Sequence, residues 1–172
     1  MGAHPYWYFV AYQPDIMTAL QTLRQQEFEA GRYNPVNPFP FDPIFNEQAK
    51  EILEAEGLYE ATFPSIEAAM EAADAEGSRS ILDIQSVSEQ PALCATSPVP
   101  TEVLMQVFRS DKPSRALVET VILQHQAPEG WSETGQSAAA LVNQIGRGEC
   151  RHLICYTDDQ PSDIFFIGYS FD

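Results

Sequence analysis

Positive charge is what this sequence has least of. It contains nine Lys and Arg residues against 25 Asp and Glu, only two of the nine are Lys (Lys50 and Lys112), and the net charge is −16. Proteins that bind nucleic acids or anionic membranes need cations that neutralise phosphates. The composition therefore disfavours direct binding to DNA, RNA or a membrane surface. Two interpretations of the acidity stay open: a surface that keeps the protein dispersed, or a surface that recruits a basic protein partner.

Cysteines and long apolar runs are also scarce. Cys94, Cys150 and Cys155 cannot all pair with one another, and the N-terminus lacks the basic start and apolar run of a secretory signal. No run reaches the roughly 18 apolar residues of a transmembrane helix. Walker, dinucleotide-binding and zinc-protease motifs are absent, as are closely spaced metal-ligand pairs. These absences predict reduced thiols, a cytoplasmic location, no metal and no cofactor.

The apolar content is that of an ordinary folded protein. The 172 residues are 44% hydrophobic and show no composition break, which predicts one domain spanning 1–172. Residues 6–12 read Tyr-Trp-Tyr-Phe-Val-Ala-Tyr, a pattern typical of a strand. Because both of its faces are apolar, we expect a central strand. An amphipathic helix follows from Pro14-Asp15 and ends at Gly31.

Helices dominate the middle of the chain. Residues 34–45 hold four prolines and three phenylalanines, which predicts an ordered extended loop. Helices are predicted over 46–57, from Thr62 or Ser65 to Gly77, over 101–108, from Asp111 or Ser114 to Ile122, and over 136–145, although 101–108 could also be a strand. A short strand is predicted over 79–85, and 86–100 is expected to be loop.

The C-terminus predicts a β-hairpin. Strands over 150–157 and 163–171 are joined by the turn Asp158-Asp159-Gln160-Pro161-Ser162. The order of elements lacks a regular alternation of strand and helix. We therefore expect an α+β fold, in which a small mixed or antiparallel sheet packs with about five to six helices. That sheet would contain the N-terminal strand, the 79–85 strand and the hairpin.

The candidates for catalysis are weak. Cys150 and His152 lie two residues apart on a predicted strand, so they share one face and could act as a nucleophile and its base. A half-buried thiol beside a surface or core imidazole would look the same in sequence. Cys94 and His125 could complete a zinc site only through long-range folding, and the spacing disfavours it.

Tyr6, Tyr8 and Tyr12 lie on one face of the first strand. Such a row could be a ligand or peptide platform if it is exposed. Alternatively, helices cover it and its phenol groups reach polar partners at the edge. The sequence leaves both arrangements open.

Half of the net charge lies in thirty residues. Residues 47–76 contain nine carboxylates and one Lys, a net of −8, on two predicted amphipathic helices. Because amphipathic helices turn their charge outward, two adjacent ones would form an acidic wall. The candidate binding residues on this wall are Glu47, Glu51, Glu54, Glu67 and Glu71.

Several segments resemble a known family. They are the opening Met-Gly-x-x-Pro-Tyr-Trp-Tyr-Phe-Val, Arg-Tyr-Asn-Pro at 32–35, Arg-Ser-Ile-Leu-Asp at 79–83 and the ending Phe-Ile-Gly-Tyr-Ser-Phe-Asp. Together they are similar to a family of bacterial proteins of unknown function, and the resemblance runs the length of the chain. It implies a bacterial cytosolic protein, and it transfers no functional residue.

Three functions are consistent with these observations. The first is a non-catalytic interaction protein that binds or masks a basic partner, in the manner of an antitoxin or immunity protein. The second is a small hydrolase or transferase that uses Cys150, His152 or carboxylates near the tyrosine face. The third is a small-molecule sensor, which requires a pocket that sequence cannot reveal.

Overall fold

The structure is a computed structural model that describes residues 3–37, 63–126, 128 and 135–171. The predicted opening is confirmed. β1 (Pro5–Ala11) is followed by α1 (Ile16–Glu29), and the Asp15 carboxylate caps this helix by accepting a hydrogen bond from the Thr18 amide. The predicted helix over 46–57, and most of the proline-rich loop, lie outside the described residues.

Further helices follow the predicted pattern closely. They are α2 (Ile66–Ala73), α3 (Thr101–Phe108), α4 (Arg115–Val118) and α5 (Gly135–Val142). A π-helical turn, Glu119–Leu123, extends α4. The helical alternative for 101–108 is therefore confirmed. Side-chain caps start two of these helices as expected, because Ser65 accepts from the Ala68 amide and Ser114 from the Leu117 amide.

Four more strands complete a five-stranded mixed sheet. They are β2 (Ser86–Val87), β3 (Ala95–Pro98), β4 (Cys150–Thr157) and β5 (Gln160–Tyr169). The strand order is β1-β5-β4-β3-β2; β5 is antiparallel to both neighbours, whereas β3 is parallel to β4 and β2. This confirms the predicted α+β fold, with five helices in the part of the chain that the structure describes.

Each face of the sheet carries its own hydrophobic core. On one face, Tyr6, Cys150 and Phe166 pack with α1, α2 and the segment 81–84. On the other face, Leu153, Phe165 and Ile167 pack with α3, α4 and α5. Neighbouring residues of one strand alternate between the two cores, as strand geometry requires.

The first strand is not central, so that expectation was wrong. β1 lies at an edge of the sheet and pairs with β5, with Tyr6 opposite Gly168 and Phe9 opposite Phe165. Both of its faces are apolar because helices cover both faces of the sheet. An apolar strand therefore reports burial of the two faces and says nothing about strand order.

Residues 79–85 are not a strand. Ile81–Asp83 form a 3₁₀ turn that begins where the Ser80 hydroxyl accepts a hydrogen bond from the Leu82 amide. Ile81, Leu82, Asp83 and Ile84 are all buried. Because this segment is buried on every side, apolar residues suit it in a turn as well as in a strand. Its apolar pattern therefore does not distinguish the two conformations.

Residues 86–100 were expected to be loop but contain β2 and β3. Ala95 and Ser97 have little strand propensity, whereas Thr96 favours strands, and all three are buried beside β4. The hairpin turn is also shorter than predicted. Asp158 and Asp159 alone form it, both with positive φ, and Pro161 and Ser162 belong to β5, which pairs with β4 through a bulge at Cys155 and Tyr156.

Candidate functional site

Part of the predicted acidic wall is described, on α2 and the turn that follows it. Ala69 and Ala73 face the core, and Glu67, Glu71, Asp74 and Glu76 are exposed. We call these four residues the acidic face. The helical period separates the buried alanines from the outward carboxylates. Glu47, Glu51 and Glu54 lie outside the described residues.

Basic side chains are occupied elsewhere in the molecule. Arg32 pairs with Glu27, Lys112 with Asp159, Arg151 with Glu149 and Arg115 with both Glu119 and Asp163. Among the ion pairs of the described residues, one involves the acidic face, and it joins Arg79 to Glu76. Four of the nine Lys and Arg side chains are thus paired away from the acidic face, whose four carboxylates outnumber the one cation paired with it.

A cleft opens beside the acidic face, between α1 and α2. It has a volume of about 450 Å³ and is lined by Arg24, Ile66, Glu67, Met70 and Gln85. Nη2 of Arg24 donates a hydrogen bond to the Leu82 carbonyl at 3.1 Å, which holds the guanidinium in place beside the cleft. Burial lowers the pKa of Arg24, and the charges of Glu67 and Asp83 raise it in part.

Sequence reasoning missed this cleft, although a signal was present. Arg24 lies four residues after the buried Leu20 and three before the buried Glu27, so it continues the inward face of α1. A charged residue at such a position must reach a polar partner or the surface. The partners of Arg24 come from 82 and 67, and this pairing cannot be read from α1 alone.

Cys150 and His152 do share one face of β4, but Thr96 lies between them. The Thr96 hydroxyl is 3.0 Å from His152 Nδ1 and also hydrogen-bonds the Cys150 thiol. Burial raises the pKa of Cys150 to about 12 and lowers the pKa of His152 to about 4. A neutral thiol and a neutral imidazole result at physiological pH, whereas a thiol nucleophile requires a thiolate.

Thiol alkylation should follow burial. Cys94 is half-buried, and burial raises its pKa, whereas Cys150 and Cys155 are buried and each have a pKa of about 12. We expect iodoacetamide to modify Cys94 first and to modify the other two only after unfolding, as measured by mass spectrometry of timed samples. The Cys94→Ser variant should then resist modification until denaturant is added. Rapid labelling of Cys150 in the folded protein would instead favour the nucleophile hypothesis.

The tyrosine face is largely covered. Tyr6 is fully buried, the Tyr8 hydroxyl is buried, and Tyr12 is half-buried; all three pack against the core formed with α1. Burial is the main cause that raises the pKa of Tyr6 and Tyr8 well above its usual value. The three tyrosines therefore offer little surface for a planar ligand. Of the two arrangements that the sequence left open, the structure has the one in which this face is covered.

Among the described residues, no group of three or more His, Cys, Asp and Glu side chains is arranged to hold a metal ion. None of the helices described is both long and apolar enough to cross a membrane. Comparisons with protein-family models, with curated proteins and with solved structures find no match to this chain. Functional inference therefore depends on the acidic face and the adjacent cleft.

Proposed function

We propose that this protein is a non-catalytic interaction protein that binds a basic protein partner through its acidic face. The observation that carries the proposal is the uneven distribution of charge. Glu67, Glu71 and Asp74 are exposed, while the ion pairs of Arg32, Lys112, Arg115 and Arg151 lie elsewhere. A field of one sign speeds the encounter with an oppositely charged partner and disfavours like-charged ones.

The buried thiols and imidazole support this proposal over the enzymatic alternative. Cys150 is fully buried and the cleft is lined by other residues, so neither Cys150 nor His152 faces the described cleft. Free cysteines fit a reducing compartment, and we place the protein in the cytoplasm on that basis. The excess of carboxylates also argues against direct contact with nucleic acid.

Charge reversal on the acidic face should abolish partner binding. We expect the double variant Glu67→Lys/Glu71→Lys to lose a basic protein that the wild type retains from an extract of its own organism at low salt. The retained amount should also fall as salt is raised, because exposed charges are screened within about 10 Å at 0.1 M ionic strength. Quantitative mass spectrometry of the retained proteins measures both effects.

The double variant Glu89→Lys/Glu102→Lys is the matched control. It makes the same change in net charge at exposed carboxylates, and Glu102, like Glu67, lies in the first turn of an eight-residue helix. The proposal predicts that this control keeps the partner. Equal loss in both double variants would mean that only total charge matters, and binding that salt does not change would contradict the proposal.

A further inference from the structure

The cleft between α1 and α2 holds two opposite charges that do not close on each other. Arg24 and Glu67 line the same cleft and attract each other, yet within the described part of the chain no N···O distance of 4.0 Å or less joins them. Glu67 is exposed and Arg24 is half-buried, and a bridging ligand can satisfy both charges.

The Arg24 side chain is held in place beside the cleft. Its Nη2 is held by the Leu82 carbonyl, and its Nε is buried without a hydrogen-bond partner among the described residues. The hydrogen bond to Leu82 therefore holds the guanidinium in one orientation beside the cleft, and a guanidinium held in this way can recognise a carboxylate. Such preorganisation lowers the entropic cost of binding.

Glu67 supplies a negative charge to the same cleft. Hydrogen bonds from the Glu67 amide and from Ser65, with the nearby Arg24, hold the pKa of Glu67 below its usual value. Glu67 is therefore ionised at neutral pH. The apolar side chains of Ile66 and Met70 and the amide of Gln85 complete the lining of the cleft.

We propose that this cleft binds a small zwitterion, an α-amino acid with an apolar side chain. Its carboxylate would meet Arg24, its ammonium group would meet Glu67, and its side chain would contact Ile66 and Met70. The volume of about 450 Å³ falls in the range of small-molecule sites. This inference goes beyond the proposed partner binding and does not depend on it, since free amino acids carry no net charge.

Isothermal titration calorimetry of the full chain tests the proposal with compounds that differ by one charge. L-leucine, L-methionine, L-isoleucine and L-phenylalanine are the probes. We expect at least one of them to bind with a stoichiometry of one. Its N-acetyl derivative lacks the ammonium charge and its amide lacks the carboxylate, and each should bind at least about tenfold more weakly, since a hydrogen bond to a charged group contributes about 1.5–3 kcal/mol.

Two variants locate the site. Glu67→Gln should weaken binding of the amino acid about as much as loss of the ammonium group does, whereas Glu71→Gln, one helical turn away on α2, should bind like the wild type. Arg24→Lys keeps the charge but loses the planar fork, and should weaken binding while circular dichroism shows a folded chain.

Some results would overturn the proposal. Absence of binding by all four amino acids at millimolar concentration would do so, as would equal binding of the free amino acid, its N-acetyl derivative and its amide. Equal affinities of wild type and Glu67→Gln would show that any binding occurs elsewhere. None of these results bears on the partner test, which uses charge reversal and a protein ligand.

Discussion

Replacement of Gly168 by Ala should destabilise the fold by about 3 kcal/mol, the upper part of the usual range for overpacking a core. A Cβ at this position would lie 2.5 Å from the Tyr6 hydroxyl oxygen and 2.6 Å from Cζ of the same ring. Tyr6 is fully buried, and Gly168 is its partner across the β1–β5 pair, so the ring cannot move away without disturbing the core. For a chain of this size the melting temperature should fall by about 6–12 °C, as measured by calorimetry.

Gly146→Ala is the matched control for this prediction. A Cβ there would lie 3.1 Å from the Glu149 carboxylate group, farther than a Cβ at 168 would lie from Tyr6, although that carboxylate also pairs with the buried Arg151. We expect a smaller loss, of about 1 kcal/mol or less. Tyr6→Phe removes the hydroxyl oxygen but leaves Cζ 2.6 Å from the added Cβ, so it should recover only a small part of the loss when it is combined with Gly168→Ala. A melting temperature of Gly168→Ala equal to that of the wild type would contradict the packing of Tyr6 against Gly168.

Acid should destabilise the protein through His152, by up to about 3 kcal/mol between pH 6.5 and pH 4. Burial lowers the pKa of His152 to about 4, below the ordinary value of 6.5. The unfolded chain therefore takes up the proton first as the pH falls. This contribution to stability is complete above pH 6.5 and is lost by about pH 4. Denaturant unfolding at a series of pH values measures the free energy of unfolding directly.

His152→Asn separates this effect from the titration of carboxylates. The amide cannot titrate in this range, and it can keep a hydrogen bond to the Thr96 hydroxyl that now meets Nδ1. We expect the variant to be less stable at pH 7, because the smaller side chain leaves space beside Phe166, but to lose less stability on acidification. His125→Asn, at an exposed site, should keep the wild-type profile. Parallel profiles for wild type and His152→Asn would show that His152 titrates normally.

Elements with strong local signals were predicted well. Helices begin at caps that the sequence offers, at Asp15, Ser65 and Ser114, and β4 spans the predicted residues 150–157, while β5 begins three residues earlier than predicted. A cap satisfies amides within the same helical turn, and a hairpin pairs segments that are close in sequence. Such signals are legible because all of their partners lie within a few residues.

The errors share a different cause. Residues 81–84 and 95–97 are buried on all sides, so their residue types reflect the surrounding core and carry little information about backbone conformation. The edge position of β1 was missed for the same reason. Both faces of this strand are apolar because helices cover both faces of the sheet, and this holds for an edge strand as well as for a central one. Strand order depends on which strand lies alongside, and no local pattern records it.

The candidate site divides in the same way. The sequence alone determined the charge of −16 and the outward carboxylates of α2, because these follow from composition and helical period. Only the tertiary structure decided that Thr96 separates Cys150 from His152 and that Tyr6 is buried. It also decided that Arg24 is anchored by a carbonyl 58 residues away and shares a cleft with Glu67. Those contacts join residues that are far apart in sequence. They form only when the helices pack on the sheet, so no local sequence pattern predicts them.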